Sequence, residues 1–303
     1  MIILDYDIRL KSLEDILTIS CFGDLHIGDR GCDEARLQQD LERCNQNPND
    51  YSLFNGDQLD AIIPKDIGRF RPDSVPEWMN RASSGLAPGA FIDRQINRAA
   101  SILRIRDKDK VIGYGDGNHE DSILKWHGTD ISPKIVEKLW GLGIILDDRG
   151  REDEASKHLL GYSAFIKLHV SFDSGNTRQL ITVYTHHGWG GGSRTEGYNL
   201  TKYAKQIPYF DADIYVFSHC HDHQSKVIPY LSATNSKGGR RSQLKGKDRL
   251  LIVTGTYKRA LIENQRTPSF EEQKGFPPRK LGYVSAKIKW YDNGNVRMGY
   301  EVF

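Results

Sequence analysis

Residues 15–26, Asp-Ile-Leu-Thr-Ile-Ser-Cys-Phe-Gly-Asp-Leu-His, read as a buried strand that stops at a polar turn. Apolar and β-branched residues dominate 15–22, and a short run of this kind bounded by a turn signal suits a strand covered on both faces. The pattern recurs four times. A strand over 51–54 stops at Asn55-Gly56-Asp57, and one over 110–114 at Gly115-Asp116-Gly117-Asn118-His119. A strand over 178–185 stops at His186-His187-Gly188, and one over 213–217 at Ser218-His219.

Between these strands the chain carries helical signals at 33–46, with Asp33 placed as N-cap, and at 90–107, 132–140 and 195–206. Further strands are expected near 143–147, 158–172, 224–231, 249–254, 282–290 and 296–302, with turns at Ser174-Gly175-Asn176 and Asn293-Gly294. Residues 64–88 hold four prolines and read as an irregular excursion. The architecture expected is α/β: two sheets packed face to face with helices outside, in one domain over 1–303, with irregular insertions near 64–88 and 232–280.

Composition narrows the function. Among 303 residues, 42 Lys+Arg stand against 40 Asp+Glu, a formal net charge of +2, which excludes a protein that coats nucleic acid. At 38% apolar and 10% aromatic the chain has material for a large core. No run is long and apolar enough to span a membrane. The first ten residues place Asp5, Asp7 and Arg9 among apolar ones, unlike a signal-peptide core. Four cysteines, none in a C-x-x-C pair, read as reduced, packed thiols. A cytoplasmic protein is expected.

The five turns carry the chemistry. In open α/β sheets, ligands bind beyond the carboxyl ends of the strands, where loops converge. Here those loops hold Asp24 and His26, Asp57 and Asp60, Asn118 and His119, His186 and His187, and His219 and His221. This mixed oxygen and nitrogen donor set favours Mn, Fe or Zn over Ca or Mg. The period of two in Asp24-x-His26 and His219-x-His221 would send both members of each pair to one face of an extended segment. Even seven of these ten residues acting as ligands would exceed the need of one ion and suit two ions sharing a carboxylate, an arrangement that favours displacement at phosphorus.

The order D-x-H, G-D-x-x-D, G-N-H-E, H, H-x-H, spread over residues 23–221, resembles the calcineurin-like metallophosphoesterases in all five blocks. The resemblance implies a four-layer αββα sandwich with a dinuclear centre at the strand ends. It implies a first metal held by Asp24, His26, Asp57 and His221, and a second held by Asp57, Asn118, His186 and His219. His187 is the other candidate for the fourth block; His186, directly after the strand, matches the family better. The resemblance further implies that a metal-bridging hydroxide attacks phosphorus, that His119 protonates the leaving oxygen, and that Asp60 orients His119. One departure is Ser218, where the family has glycine. Another is Ala61-Ile62 after G-D-x-x-D, where Ser/Thr phosphatases carry Arg-Gly.

His187, unless it takes the fourth ligand position, Arg194 in the glycine-rich stretch 189–194, and Tyr257 and Arg259 after the strand at 249–254 are candidate substrate contacts. The stretch 237–249 holds six basic residues and one acidic one, and can follow a phosphate backbone. The expected activity is a phosphodiesterase that uses two divalent ions, manganese foremost with iron or zinc as the others, on a nucleic acid or nucleotide. A phosphomonoesterase acting on metabolites or phosphoproteins is the alternative within the same chemistry. A non-catalytic scaffold is the alternative outside it, and the filled ligand positions argue against that one.

Overall fold

The computed structural model describes residues 1–66, 70–79, 88–141, 156–173, 178–191, 195, 197–235, 242–264, 266–291 and 296–303. The expected strand near 143–147, the turns at 174–176 and 293–294, and part of the 64–88 excursion lie outside them.

Among the described residues the strands form two six-stranded sheets. The first runs β12 (Val296–Val302), β11 (Val284–Trp290), β2 (Ile16–Phe22), β3 (Asp50–Asn55), β4 (Val111–Gly115) and β5 (Leu159–Gly161). The second runs β1 (Ile2–Leu10), β6 (Ser163–Phe172), β7 (Arg178–His186), β8 (Ile214–Phe217), β10 (Ser242–Thr254) and β9 (His223–Asn235). In the first sheet β2, β3 and β4 are parallel, and in the second β7, β8 and β10 are parallel. The carboxyl ends of these two parallel trios meet at one edge of the sandwich.

Strand alternation builds the layers. Leu17, Ile19 and Cys21 of β2 point between the sheets, where they pack with Ile166, Val183 and Val216. Phe22 points the opposite way, under α1 (Glu34–Asn45) and α2 (Pro88–Leu103). On the far face of the second sheet, Tyr184, Tyr215 and Phe217 pack under α5 (Tyr198–Ala204). Two further helices, α3 (Asn118–His127) and α4 (Ile131–Trp140), join the layer over the first sheet. The result is the four-layer αββα sandwich.

The floor beneath the strand ends is aromatic. Phe303, Tyr283, Phe22, Phe54 and Tyr114 stack in sequence across the first sheet at centroid spacings of 4.8, 4.5, 5.1 and 4.9 Å. Phe22 pairs in register with Phe54, and Phe54 with Tyr114. Each stacked pair contributes about 0.5–1.5 kcal/mol beyond its burial. Each of these three strand residues immediately precedes a polar turn, so the row fixes three of the five turns relative to one another.

Two segments differ from expectation. Residues 2–10 form an edge strand paired in parallel with β6; its alternation of Leu4, Ile8 and Leu10 with Asp5, Asp7 and Arg9 is the mark of a strand buried on one face. Part of the supposed irregular region 232–280 is instead a regular hairpin, in which β9 and β10 pair over their full length. Lys245 and Lys247 of the basic stretch therefore sit on a strand, while 236–241 lie outside the described residues.

A buried charge pair ties the lower end of the first sheet. Arg106 donates through Nε to Ser52 Oγ at 2.8 Å, through Nη1 to Asn45 Oδ1 at 2.6 Å, and through Nη2 to the Asp50 carbonyl. Burial pushes the Asp50 carboxyl up to about 6, against the pull of Ser20 and Arg106. Arg106→Met is expected to lower unfolding stability by about 3–5 kcal/mol in urea titrations, because it strands a buried carboxylate and three acceptors.

Candidate metal centre and catalytic cleft

The loops that leave the strands turn sharply, and the residue types show how. Asp24, His26, Asp57, His219 and His221 all have positive φ, between 50° and 73°. Side-chain-bearing residues there cost about 1–3 kcal/mol each and persist where function holds them. The pairs Asp24-x-His26 and His219-x-His221 are therefore not extended, as their period suggested. Each donor sits on its own left-handed kink, and it is the kinks that bring the side chains together.

Glycines make the close approach possible. A Cβ on Gly117 would fall 2.0 Å from Asp57 Oδ1, and one on Gly23 would fall 2.4 Å from Ser218 Oγ. Ser218, where glycine was the family expectation, accepts from Asn55 Nδ2 at 2.8 Å and from Thr254 Oγ1 at 3.0 Å. Its hydroxyl thereby ties β3, β8 and β10 together under the site. Gly56 has φ +86°, and a Cβ there would meet His187 Nδ1 at 2.5 Å and the Asp116 carbonyl at 2.8 Å. Gly56→Ala is expected to lower the melting temperature and to weaken metal binding together, checked by thermal unfolding with and without Mn.

One carboxylate clamps these loops. Glu120 accepts the backbone N–H groups of Gly117 at 2.8 Å, Asp57 at 2.9 Å and Leu59 at 3.2 Å. The fourth residue of G-N-H-E thus splices the second turn to the third. Burial, reinforced by Asp57 and Asp116, pushes its carboxyl up to about 7.

Two donor groups converge around Asp57. In the first, His26 Nε2 and His221 Nε2 face each other at 2.9 Å, with Asp24 Oδ1 3.9 Å from His221 Nε2 and Asp57 Oδ2 3.9 Å from His26 Nε2. In the second, Asn118 Oδ1 lies 2.7 Å from His219 Nδ1 and 3.1 Å from His187 Nε2, and His187 Nε2 lies 3.2 Å from Asp57 Oδ2. The structure brings His187, not His186, into this group. β7 ends at His186, whose side chain faces the aromatic layer under α5, 5.2 Å from the Trp189 ring and 6.2 Å from Phe217. Its Nδ1 accepts from the Gly188 N–H at 2.8 Å. The next residue necessarily points to the opposite face, toward the other sheet. There His187 Nδ1 donates to the Asn55 carbonyl at 2.9 Å and so directs Nε2 at Asp57 and Asn118.

Asp60 is also placed differently from expectation. Its carboxylate faces His26 Nδ1 at 3.3 Å, while its backbone carbonyl accepts from His119 Nδ1. His119 is thus oriented by a main-chain group, while the Asp60 carboxylate stands as a charged neighbour of His26. The His119 N–H donates to Asp57 Oδ1 at 3.0 Å, and its Nε2 stands 4.0 Å from Asp57 Oδ2 at the mouth of the cluster.

This arrangement fits divalent cations. Asp24, His26 and His221 form one compact donor group, and Asp57, His187 and His219 another. Asp24 Oδ1 is fully buried with no hydrogen-bond partner among the described residues, an unbalanced acceptor of the kind a cation satisfies. His26 and His221 turn Nε2 inward, with the Asp60 carboxylate 3.3 Å from His26 Nδ1 and the Glu271 carboxylate 3.9 Å from His221 Nδ1, charges that favour the tautomer a metal-binding imidazole needs. Burial pulls His219 down to about 4, with His187 adding to the effect, so its imidazole is neutral. His187 is pushed up to about 10: burial opposes this, and the Asp57 carboxylate overrides it. Asp57 thus draws positive charge to the centre of the cluster.

The substrate contacts expected from sequence fare less well. Tyr257 is fully buried, and its hydroxyl donates to Asp40 Oδ2 at 2.9 Å, away from the cleft. Arg259 pairs with Asp33 at the surface. Arg194 lies outside the described residues. Between Tyr257 and Arg259, Lys258 does reach the site, where it lines a cleft of about 620 Å³ with His119, Arg71, Lys274, Phe276 and Arg279. Lys258 and Glu271 are not legible in the sequence, since a single Lys after Gly255 and an acid in a short late helix carry no spacing signal.

No family model matches the sequence, and no curated protein matches it. Solved structures do. A Streptococcus pneumoniae protein described as a predicted phosphoesterase is 11% identical over 95% of this chain and 99% of its own, with a TM-score of 0.30. The Chaetomium thermophilum Vps29 is 11% identical over 95% and 97%, at 0.32. The calcineurin-like phosphoesterase YfkN of Bacillus subtilis is 13% identical over 95% and 90%, at 0.40. Similarity of this order carries nothing about activity, which has to be read from the side chains of the site. No helix among the described residues is long and apolar enough to cross a membrane.

Proposed function

We propose that this chain is a dinuclear metal-dependent phosphoesterase that hydrolyses phosphodiesters, with nucleotides or nucleic acid as the substrate class. The observation that carries the reading is the pair of donor groups meeting at Asp57 with the His119 imidazole at their mouth. Asp24, His26, Asp57 and His221 would hold one ion, and Asp57, Asn118, His187 and His219 the other; manganese suits this donor set. Bound ions would supply Lewis acidity toward a phosphoryl oxygen and an acidified water.

The chain's own residues do the rest. The Asp60 carbonyl holds His119 through Nδ1, leaving Nε2 to give a proton to the leaving oxygen. Arg71, Lys274 and Arg279 line the cleft, Arg279 with Asp222 at 3.5 Å; they would supply positive charge toward a further phosphate, and Phe276 an apolar wall. Cations disposed along a cleft favour a substrate that carries further phosphate beside the scissile one, which supports a nucleotide or nucleic acid diester. Four free thiols suit a reducing compartment such as the cytoplasm.

With added Mn, the protein is expected to hydrolyse bis-p-nitrophenyl phosphate faster than p-nitrophenyl phosphate. Turnover of the monoester alone would overturn the diesterase reading. Turnover of neither, with Mn bound, would point to the scaffold. A panel of single- and double-stranded DNA, RNA and cyclic nucleotides then orders the substrates.

A further inference from the structure

The inside of the cleft holds a lysine that the chemistry above does not use. Lys258 is 8% exposed and its Nζ is enclosed by three carboxylates, Asp29 Oδ2 at 3.0 Å, Asp60 Oδ1 at 3.4 Å and Glu271 Oε1 at 3.8 Å. Two of these face imidazoles of the first donor group on their other side. Asp60 Oδ1 lies 3.3 Å from His26 Nδ1, and Glu271 Oε1 lies 3.9 Å from His221 Nδ1. The same two imidazoles bring their Nε2 atoms to 2.9 Å of each other. A single ammonium thus sits behind two carboxylates, each of which sits behind one histidine.

We propose that Lys258 is a positioning residue, whose ammonium gathers Asp60 and Glu271 against His26 and His221 so that both histidines present Nε2 to the same ion. This rests on the metal-dependent reading above. Three carboxylates this close in a buried pocket repel one another unless a cation lies between them. With the ammonium in place, Asp60 and Glu271 stand as charged neighbours 3.3 Å from His26 Nδ1 and 3.9 Å from His221 Nδ1, which favours the tautomer that carries its proton on Nδ1 and leaves Nε2 for the ion. The chain brings the parts from distant places: Lys258 from the loop after β10, Asp60 from the loop after β3, and Glu271 from the short helix α6 (Phe270–Gln273). A backbone tie holds the loop in register, since the Tyr257 N–H donates to the Asp24 carbonyl at 3.1 Å. The third carboxylate, Asp29, accepts from the Gly31 N–H through Oδ1 at 2.6 Å and meets Lys258 through Oδ2.

The asymmetry makes the idea testable. The hub stands behind one ion's histidines and not the other's, because His187 is oriented by the Asn55 carbonyl instead. Calorimetric titration of the metal-free protein with Mn is expected to show two ions in the wild type. In Lys258→Met, the ion at Asp24, His26 and His221 should bind about 10–100-fold more weakly, the usual cost of removing an outer support of a metal ligand. The ion at Asn118, His187 and His219 should stay close to wild-type affinity. At intermediate Mn, the paramagnetic resonance spectrum should then change from coupled to isolated Mn. Asp29→Asn should keep both affinities near wild type, since it leaves the two orienting carboxylates in place.

Equal weakening of both ions in Lys258→Met, or no weakening, would overturn the proposal; the first outcome means a general packing role. If Lys258→Met does not fold by circular dichroism, Glu271→Gln decides the matter: selective weakening of the first ion upholds the hub, and unchanged affinity overturns it. A wild type that binds no Mn would instead overturn the metal-dependent reading itself.

Discussion

His187→Ala is expected to bind one Mn ion where the wild type binds two, and to lose diester turnover by at least about 100-fold. That figure is the upper end of what removing an outer-shell support costs, and a direct donor should exceed it. His187 is fully buried, its Nε2 lies 3.2 Å from Asp57 Oδ2 and 3.1 Å from Asn118 Oδ1, and alanine removes that donor. The control is its neighbour. His186→Ala should keep both ions, because that imidazole faces Trp189 and Tyr162 and accepts from the Gly188 N–H. Metal counting by calorimetry and turnover of bis-p-nitrophenyl phosphate read both variants. The opposite result, with His186→Ala losing an ion, would mean that the strand end is rotated relative to this structure.

His119→Ala should separate binding from chemistry. The side chain is oriented by the Asp60 carbonyl and stands at the mouth of the cluster. Removing it should leave both Mn affinities near wild type, because the contact with Asp57 is made by the His119 backbone N–H, which alanine retains. Turnover should fall by about 10²–10⁴-fold, the range for a general acid. The loss should grow as the leaving group becomes poorer, since p-nitrophenolate departs with little help and an alkoxide does not. A flat dependence on leaving-group pKa would overturn the acid role, and loss of metal would turn His119 into a ligand. By contrast, Asp60→Asn should perturb His26 more than His119, since the carboxylate faces His26 Nδ1 and the carbonyl that holds His119 survives the change.

These expectations show where sequence reading succeeds and where it stops. Each of the five strand-ending turns does reach one site, and Asp24, His26, Asp57, Asn118, His219 and His221 do come together. Their spacing recorded that much, because each turn immediately follows an apolar strand and parallel strands deliver their ends to one edge. The alternation over 2–10 is compatible with a strand, but its pairing in parallel with β6, more than 150 residues away, is not legible from local pattern. The choice between His186 and His187 was not legible either. It depends on which residue is last in β7 on the face toward the other sheet, and one residue of uncertainty in a strand boundary inverts every side chain beyond it. Tyr257, Lys258 and Arg259 illustrate the same limit: three neighbours point into the core, the cleft and the surface.

The sequence by itself determined the layered α/β architecture and the chemistry of the donors, because both follow from local pattern: apolar runs, the turns that end them, and the residue types those turns carry. Only the tertiary structure decided which histidine of a pair enters the cluster, that the donors converge on left-handed kinks and not on extended segments, and that Lys258 meets Asp60 and Glu271. Those facts depend on side-chain direction and on contacts between segments far apart in the chain. Such contacts are set by how the two sheets and their loops pack, and no local pattern records them.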